Sequence, residues 1–442
     1  MNFLIYWPEE SLLIDAGFKS IARVPCIFNE NWNYQREASW YLRDRSRGEA
    51  LNLGEQTRYP TKQSLETFGR AICNFLEWCV WSSRPWQEVD YFNDLINGYQ
   101  KHMESGAFSI RKKPLSASTI NSRIDETCNF LKWAARKGLR GSFKVQVQNM
   151  NFKLLSRGVG NAYLKEGISR VGQVRADPMV LKIPSDEEVE RWLDCVKLEK
   201  GETKALMCEI IIKTAMRREE CVQWRIWTLP EDRRSWDIVG DKITLKVEYG
   251  AKGSKRLDGD GVEVGPSRQI VIPLELAERI HYYREYVRPK IRMKFVNAAS
   301  NETERRRRMR NIEKRLFLSE YDGEPISGKM LWKAWSEVSI KPYREWSPHL
   351  GRHFWCCRTL LSFYLERQKL LAKGVVITGD WITGNAQSDL LTIIKPQLGH
   401  LDVKTTNTYL RWLQRLALGA RYTDEWIENL EDLEALFGDN FG

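Results

Sequence analysis

Leu398-Gly399-His400, followed by Thr405-Thr406-Asn407-Thr408-Tyr409, is the stretch on which the reading of the chain turns. It predicts the end of a turn and then a short helix that carries a tyrosine. Gly399 gives the backbone the freedom a tight turn needs, and the polar run from Asp402 to Thr408 is able to cap a helix. Tyr409 follows His400 by nine positions, so both side chains can serve one site from the two ends of a short segment. A tyrosine says little by itself, because most pack their ring and wet their tip.

The weight comes from upstream. Thr214-Ala215-Met216-Arg217-Arg218-Glu219-Glu220 sits inside an apolar helical run. An arginine at the end of a buried helix is costly unless it meets an anion; an ion pair with Glu219 or Glu220 is the plain alternative to a ligand. Gly250-Ala251-Lys252-Gly253-Ser254-Lys255 lies between two strand-like segments, Ile243 to Tyr249 and Arg268 to Pro273. Ser347-Pro348-His349-Leu350-Gly351-Arg352-His353 opens a helix, and the three-residue step places His349 and Arg352 on one face. Gly351 stands where a larger apolar residue is expected, which predicts locally loose packing. Of the five histidines in the chain, three (His349, His353 and His400) fall in these stretches.

The ordered series Arg217, Lys252, His349-x-x-Arg352, His400, Tyr409 resembles the tyrosine recombinases, the phage integrase family. The resemblance spans roughly residues 185 to 420 and, more weakly, residues 60 to 150. Each motif alone is weak; all of them in the family's order, with the nine-residue histidine-to-tyrosine step, are specific. The resemblance implies a mainly α fold with a small antiparallel β-sheet, in which a helical core-binding domain precedes a mixed α/β catalytic domain. It implies a site that works without metal or cofactor. Arg217 and Arg352 would hold the non-bridging oxygens of a phosphodiester, Tyr409 would attack phosphorus, and His349 would take its proton. Lys252 would protonate the leaving 5′ oxygen, and His400 would hydrogen-bond the phosphate. Glu220 would position Arg217, and His353 would support the fold. Lys252 matches the family's hairpin lysine better than Lys255, though the long tip leaves both open. Lys255 and Arg256 are otherwise DNA-contacting or solvated.

The totals agree with a nucleic-acid partner without proving one. The chain has 442 residues, a net charge of +11, 42% hydrophobic and 29% charged residues. That length allows two or three domains, and the charge suits a polyanion. No run of about 18 apolar residues predicts a membrane span, and the N-terminus lacks the basic region of a secretory signal. Nine scattered cysteines without a C-x-x-C pair fit free thiols in a reducing cytoplasm better than disulfides or zinc.

Taken in order, residues 1–57 form an N-terminal extension with Arg36, Arg43, Arg45 and Arg47, either phosphate contacts or a solvated face. The extension is either a separate module or a cap on the helices after it. Residues 58–150 read as the helical clamp, with helices over Ser64 to Trp81, Val89 to Met103 and Thr119 to Lys137. Its basic loop, Arg111, Lys112 and Lys113, is a candidate phosphate contact. Residues 151–184 read as a basic linker, 185–422 as the catalytic domain, and 423–442 as an acidic amphipathic tail that wants a groove on its own domain or a neighbour's. Residues 276–318 read as helical and very basic, and 367–397 as an insertion.

By resemblance the partner is double-stranded DNA, with a dimer on each site, a tetramer in synapsis, and accessory recombination proteins as further partners. The extra segments favour an integrase or transposase of a mobile element over a recombinase that resolves chromosome dimers, or a type IB topoisomerase. The competing class is a catalytically silent DNA-binding protein on the same scaffold, which decay would mark by loss of Tyr409 or an arginine. A metal-dependent nuclease needs clustered carboxylates, which the sequence does not offer.

Overall fold

The computed structural model describes residues 2–51, 60–108, 112–155, 162–175, 180–253, 256–257, 263–371, 388–399, 408–413 and 415–416. The chain divides into two compact units, Met1–Pro178 and Met179–Gly442. Both are mainly helical, with small antiparallel sheets. Among the described residues no helix is long and apolar enough to cross a membrane.

The first unit opens with β1 (Phe3–Tyr6), α1 (Glu10–Asp15), β2 (Cys26–Asn29) and α2 (Arg36–Arg47). It continues with α3 (Lys62–Trp81), a π-wound segment Tyr91–Gln100 that runs into α4 (Lys101–Ser105), and α5 (Ala117–Arg136). The start of α5 is set by Ser116, whose side chain accepts from Thr119 N. Tyr41 of α2 is buried with Ile72, Phe75, Leu95, Ile124, Phe130 and Trp133 from the later helices. Two polar ties fix that packing: Tyr41 Oη donates to Glu126 at 2.6 Å, and Trp133 Nε1 donates to the buried Asp44 at 3.0 Å. Of the N-terminal arginines, Arg45 lies over the Phe68 ring and pairs with Glu126 at 3.1 Å, a structural role. The N-terminal segment is therefore built into the core of the helices after it.

The stretch expected to be an extended linker holds instead an antiparallel pair, β3 (Val147–Leu155) and β4 (Ala162–Arg170), in register from Val147 opposite Arg170 to Leu155 opposite Ala162. Its glycines obscure a β-forming composition of valine, phenylalanine, tyrosine and isoleucine. Arg170, expected on a basic track, is buried and donates to Asp125 at 2.6 Å and to Asn121 at 2.8 Å.

In the second unit a capping box of Ser185 and Glu188 opens α6 (Asp186–Lys200). Then come α7 (Glu202–Thr214), α8 (Arg218–Val222) and the sheet strands β5 (Asp237–Val239), β6 (Lys242–Tyr249), β7 (Arg256–Leu257) and β8 (Glu263–Pro273). The spatial order is β5-β6-β8-β7, all antiparallel, with Val247 opposite Arg268. A long helical stretch comes next: α9 (Leu274–Tyr282), a π-wound turn and α10 (Arg288–Asn297); then α11 (Glu302–Ile312), α12 (Gly328–Ser336) and α13 (Pro348–Leu371). The basic run partly serves the fold: Arg288 is buried and donates to Ile312 O at 2.7 Å, and Arg308 pairs with Glu304 at 2.6 Å. A second π-wound turn, Leu390–Ile394, leads into α14 (Lys395–Leu398), and residues 408–413 are helical.

The core of this unit is built on tryptophans, with the rings of Trp192 and Trp335 4.4 Å apart and those of Trp335 and Trp346 5.5 Å apart. Gly351 belongs to it. A Cβ there would come within 2.5 Å of Trp335 Cη2, so the missing side chain admits the indole and tightens packing that the sequence predicts to be loose.

Candidate active site

α7 ends at Thr214, and Ala215 takes a left-handed conformation at φ +55°, uncommon for a residue with a Cβ. The turn delivers Arg217 to the start of α8. There Arg217 Nη1 donates to Glu220 Oε1 at 2.9 Å, and its backbone N donates to Glu220 Oε2 at 2.7 Å. Glu219 pairs instead with Arg218, at 2.9 Å. Of the two carboxylates open to Arg217 in sequence, Glu220 is the one it meets.

Arg352, on the first turns of α13, is 3% exposed. Its Nη1 donates to Ala215 O and its Nη2 to Leu398 O, the latter at 3.0 Å. Burial, then the nearby Arg217 guanidinium, push its pKa down to about 9. The Glu220 carboxylate opposes that fall, and a further anion brought beside Arg352 would favour its charged form in the same way. His349, one turn before it, is exposed, and its pKa is lowered by desolvation first and then by the fields of Arg352, Arg217 and Lys252. Lys252 itself is exposed, beyond β6.

Tyr409 is 2% exposed and packs with Cys356, Cys357, Leu360, Leu390, Ile394 and Leu398. Its hydroxyl lies 2.8 Å from His353 Nδ1, the donor being set by the imidazole tautomer. The His349 and His353 rings are 4.6 Å apart. Burial pushes the Tyr409 phenol well above its ordinary value, and Cys356 adds to that while Arg352 opposes it. The family resemblance gives the tyrosine's proton to His349 and leaves His353 to the fold. The structure puts His353 on the hydroxyl.

Two side chains outside the sequence motifs complete the site. Arg268 of β8 donates from Nη2 to Glu220 Oε2 at 2.6 Å and from Nη1 to Gln397 O. Gln397 pairs with β8 as a strand would, accepting from Val271 N and donating to Val271 O, both at 2.8 Å, while also donating to Thr214 O at 2.9 Å. The signal for Arg268 is present in the period-two pattern of β8. Val264, Ile270 and Ile272 are buried, and Arg268 shares their parity.

His400, Arg111, Lys255 and the 423–442 tail lie outside the described residues, as do residues 372–387 of the expected insertion. Lys112 and Lys113 are exposed on their loop. Among the described residues no three His, Cys, Asp or Glu side chains gather as metal ligands, and all nine cysteines are free.

No protein-family model matches the sequence, and no curated protein matches it. Solved structures do. A Tn1549 transposon integrase in complex with transposon right end DNA aligns with a TM-score of 0.43 at 15% identity, covering 85% of this chain and 93% of that one. The same integrase with circular intermediate DNA gives 0.40 at 14%, covering 80% and 91%. A lambda integrase dimer bound to a COC′ core site gives 0.39 at 12%, covering 80% and 90%. Scores this low leave the functional reading to the geometry of the site.

Proposed function

We propose that the protein is a tyrosine-type site-specific recombinase that cuts and rejoins double-stranded DNA through a 3′-phosphotyrosyl intermediate, in the integration and excision of a mobile element. One observation carries the reading: the hydroxyl of a buried tyrosine is hydrogen-bonded by an imidazole at 2.8 Å, beside two arginines brought from separate elements. Arg217 and Arg352 are planar forks that suit the non-bridging oxygens of a phosphodiester. A phosphodiester anion would relieve the crowding of their charges.

In the reaction, the Tyr409 oxygen forms a bond to phosphorus as the bond from phosphorus to the 5′ oxygen breaks. The phenolic proton passes to His353, the imidazole in contact with it, and Lys252 donates a proton to the departing 5′ oxygen. The covalent link conserves the phosphoester, so a 5′ hydroxyl of another strand reverses the step. His400 comes directly after the turn at Gly399 and is assigned a hydrogen bond to the phosphate. Because Tyr409 is almost fully buried, its hydroxyl must be uncovered before it meets phosphorus. The reading takes the acting form to be dimers on each DNA site joined into a tetramer, and the net charge of +11 supports the polyanionic partner.

The test is a nicked suicide duplex carrying the DNA that flanks the gene, incubated with wild type and Tyr409→Phe. The expected result is a covalent protein–DNA band from wild type that resists denaturant, ignores EDTA and vanishes in Tyr409→Phe. Tight DNA binding with no covalent band would favour the silent scaffold, and a band that survives Tyr409→Phe would assign another nucleophile.

A further inference from the structure

Glu220 is buried, and two arginines divide it. Arg217 meets Oε1 at 2.9 Å, while Arg268 meets Oε2 at 2.6 Å and Oε1 at 3.4 Å. Burial acts to raise the carboxyl's pKa, yet Arg268 and then Arg217 outweigh it and hold Glu220 below its ordinary value, as an anion. One carboxylate between two guanidiniums leaves one positive charge over.

The same three arginines cap three consecutive carbonyls. Arg268 Nη1 donates to Gln397 O, Arg352 Nη2 to Leu398 O at 3.0 Å, and Arg217 Nη2 to Gly399 O at 3.1 Å. These groups end α14, where carbonyls lack helical partners and cations are favoured. Gly399 makes the approach possible: at φ +60°, a Cβ there would stand 2.8 Å from Arg268 Cδ and 3.5 Å from Arg217 Nη1. Arg268 is thus the one member of the trio that reaches the site from the sheet.

We propose, resting on the recombinase reading, that Arg268 is a positioning residue. It takes up the charge of Glu220 so that Arg217 keeps its own for the phosphate, and it holds the Gln397 carbonyl so that the turn before His400 keeps its place. With its side chain only 12% exposed, it acts through Glu220 and Gln397 and not on DNA.

The experiment compares Arg268→Gln, Arg268→Lys and the double variant Arg268→Gln/Glu220→Gln with wild type. Single-turnover adduct formation on the suicide duplex, affinity for that duplex, and hydrogen exchange of residues 390–399 in the free protein are measured. Arg268→Gln is expected to slow adduct formation about 10- to 100-fold, the size of a lost hydrogen bond to a charged group. Affinity for the duplex is expected to fall less than the rate, since Arg268 itself touches no phosphate and the other phosphate contacts along the duplex remain. The double variant removes one charge of each sign and restores the sum, so it is expected to recover the part of the rate that charge sets, while the part set by the tie to Gln397 O stays lost. A purely structural role for Arg268 predicts no such recovery. Arg268→Lys keeps the charge without the fork and is expected to fold and to fall between wild type and Arg268→Gln. Exchange at 395–399 is expected to quicken in Arg268→Gln.

An Arg268→Gln rate within about twofold of wild type overturns the proposal, as does a double variant no faster than the single. If wild type itself forms no adduct, the recombinase reading falls separately. The clamp is then judged on exchange alone: faster exchange at 395–399 supports it, and unchanged protection overturns it.

Discussion

Replacing Gly399 by alanine puts the geometry of the site to its hardest use. The residue sits at φ +60°, ψ 36°, where a Cβ costs about 1–2 kcal/mol. That strain is present with or without DNA, so it should appear in stability and not in rate. The second cost is local. The new methyl would stand 2.8 Å from Arg268 Cδ and 3.1 Å from its Nε, so the Arg268 guanidinium must retreat by some tenths of an ångström. Its bond to Gln397 O lies on that same group. Losing one hydrogen bond made by a charged donor is worth about 1.5–3 kcal/mol, which corresponds to about 10- to 100-fold in rate. Gly399→Ala should therefore lower the unfolding midpoint and separately slow single-turnover adduct formation on the suicide duplex. Gly399→Asn separates the two effects, because asparagine tolerates the left-handed region but still carries the Cβ. It should recover stability and leave the rate low. An alanine variant that forms adduct within about twofold of the wild-type rate would refute the reasoning, because the arginines would then not depend on the open space at Gly399.

Other contacts set three more outcomes. His353→Gln should reduce adduct formation by about 10²- to 10⁴-fold, the range of general-base catalysis, and by more than His349→Gln; the reverse order in single-turnover rates would return the base to His349. The Lys252 charge helps to lower the His349 pKa, so Lys252→Gln should move the His349 titration upward toward the ordinary value near 6.5, read from imidazole proton shifts in the free protein; an unmoved titration would place Lys252 away from the site. In the first unit Glu126 accepts from Tyr41 and Arg45 while almost buried, so Glu126→Ala should lower unfolding stability by about 3–5 kcal/mol in urea titration, with Glu126→Gln losing less because it keeps an acceptor for Tyr41.

The legible and the illegible parts of the sequence divide along a physical line. Helices are readable wherever a capping residue stands before a 3.6-residue apolar pattern, as at Ser116 and Ser185. The motif-bearing residues stand out in sequence because they lie on short segments of unusual composition; in the structure the charges of Arg217, Lys252 and Arg352 act on His349, and His353 meets Tyr409. The differences share another cause: each depends on what a residue meets across the fold. His353 reads as support because sequence order does not say which side chain will face residue 409. Gly351 reads as a weak place because nothing local announces the Trp335 indole that fills it. Arg268 escapes notice because a basic residue in a strand reads as solvated unless its parity is compared with its neighbours. Comparing it places a guanidinium on the face of Ile270 and Ile272, where a charge persists only beside an anion. Glu220 is that anion, and it is also the partner of Arg217. The arginine that the motif supplies and the one that the strand hides are therefore two halves of one electrostatic unit, and on the recombinase reading the charge offered to a phosphate is set by both.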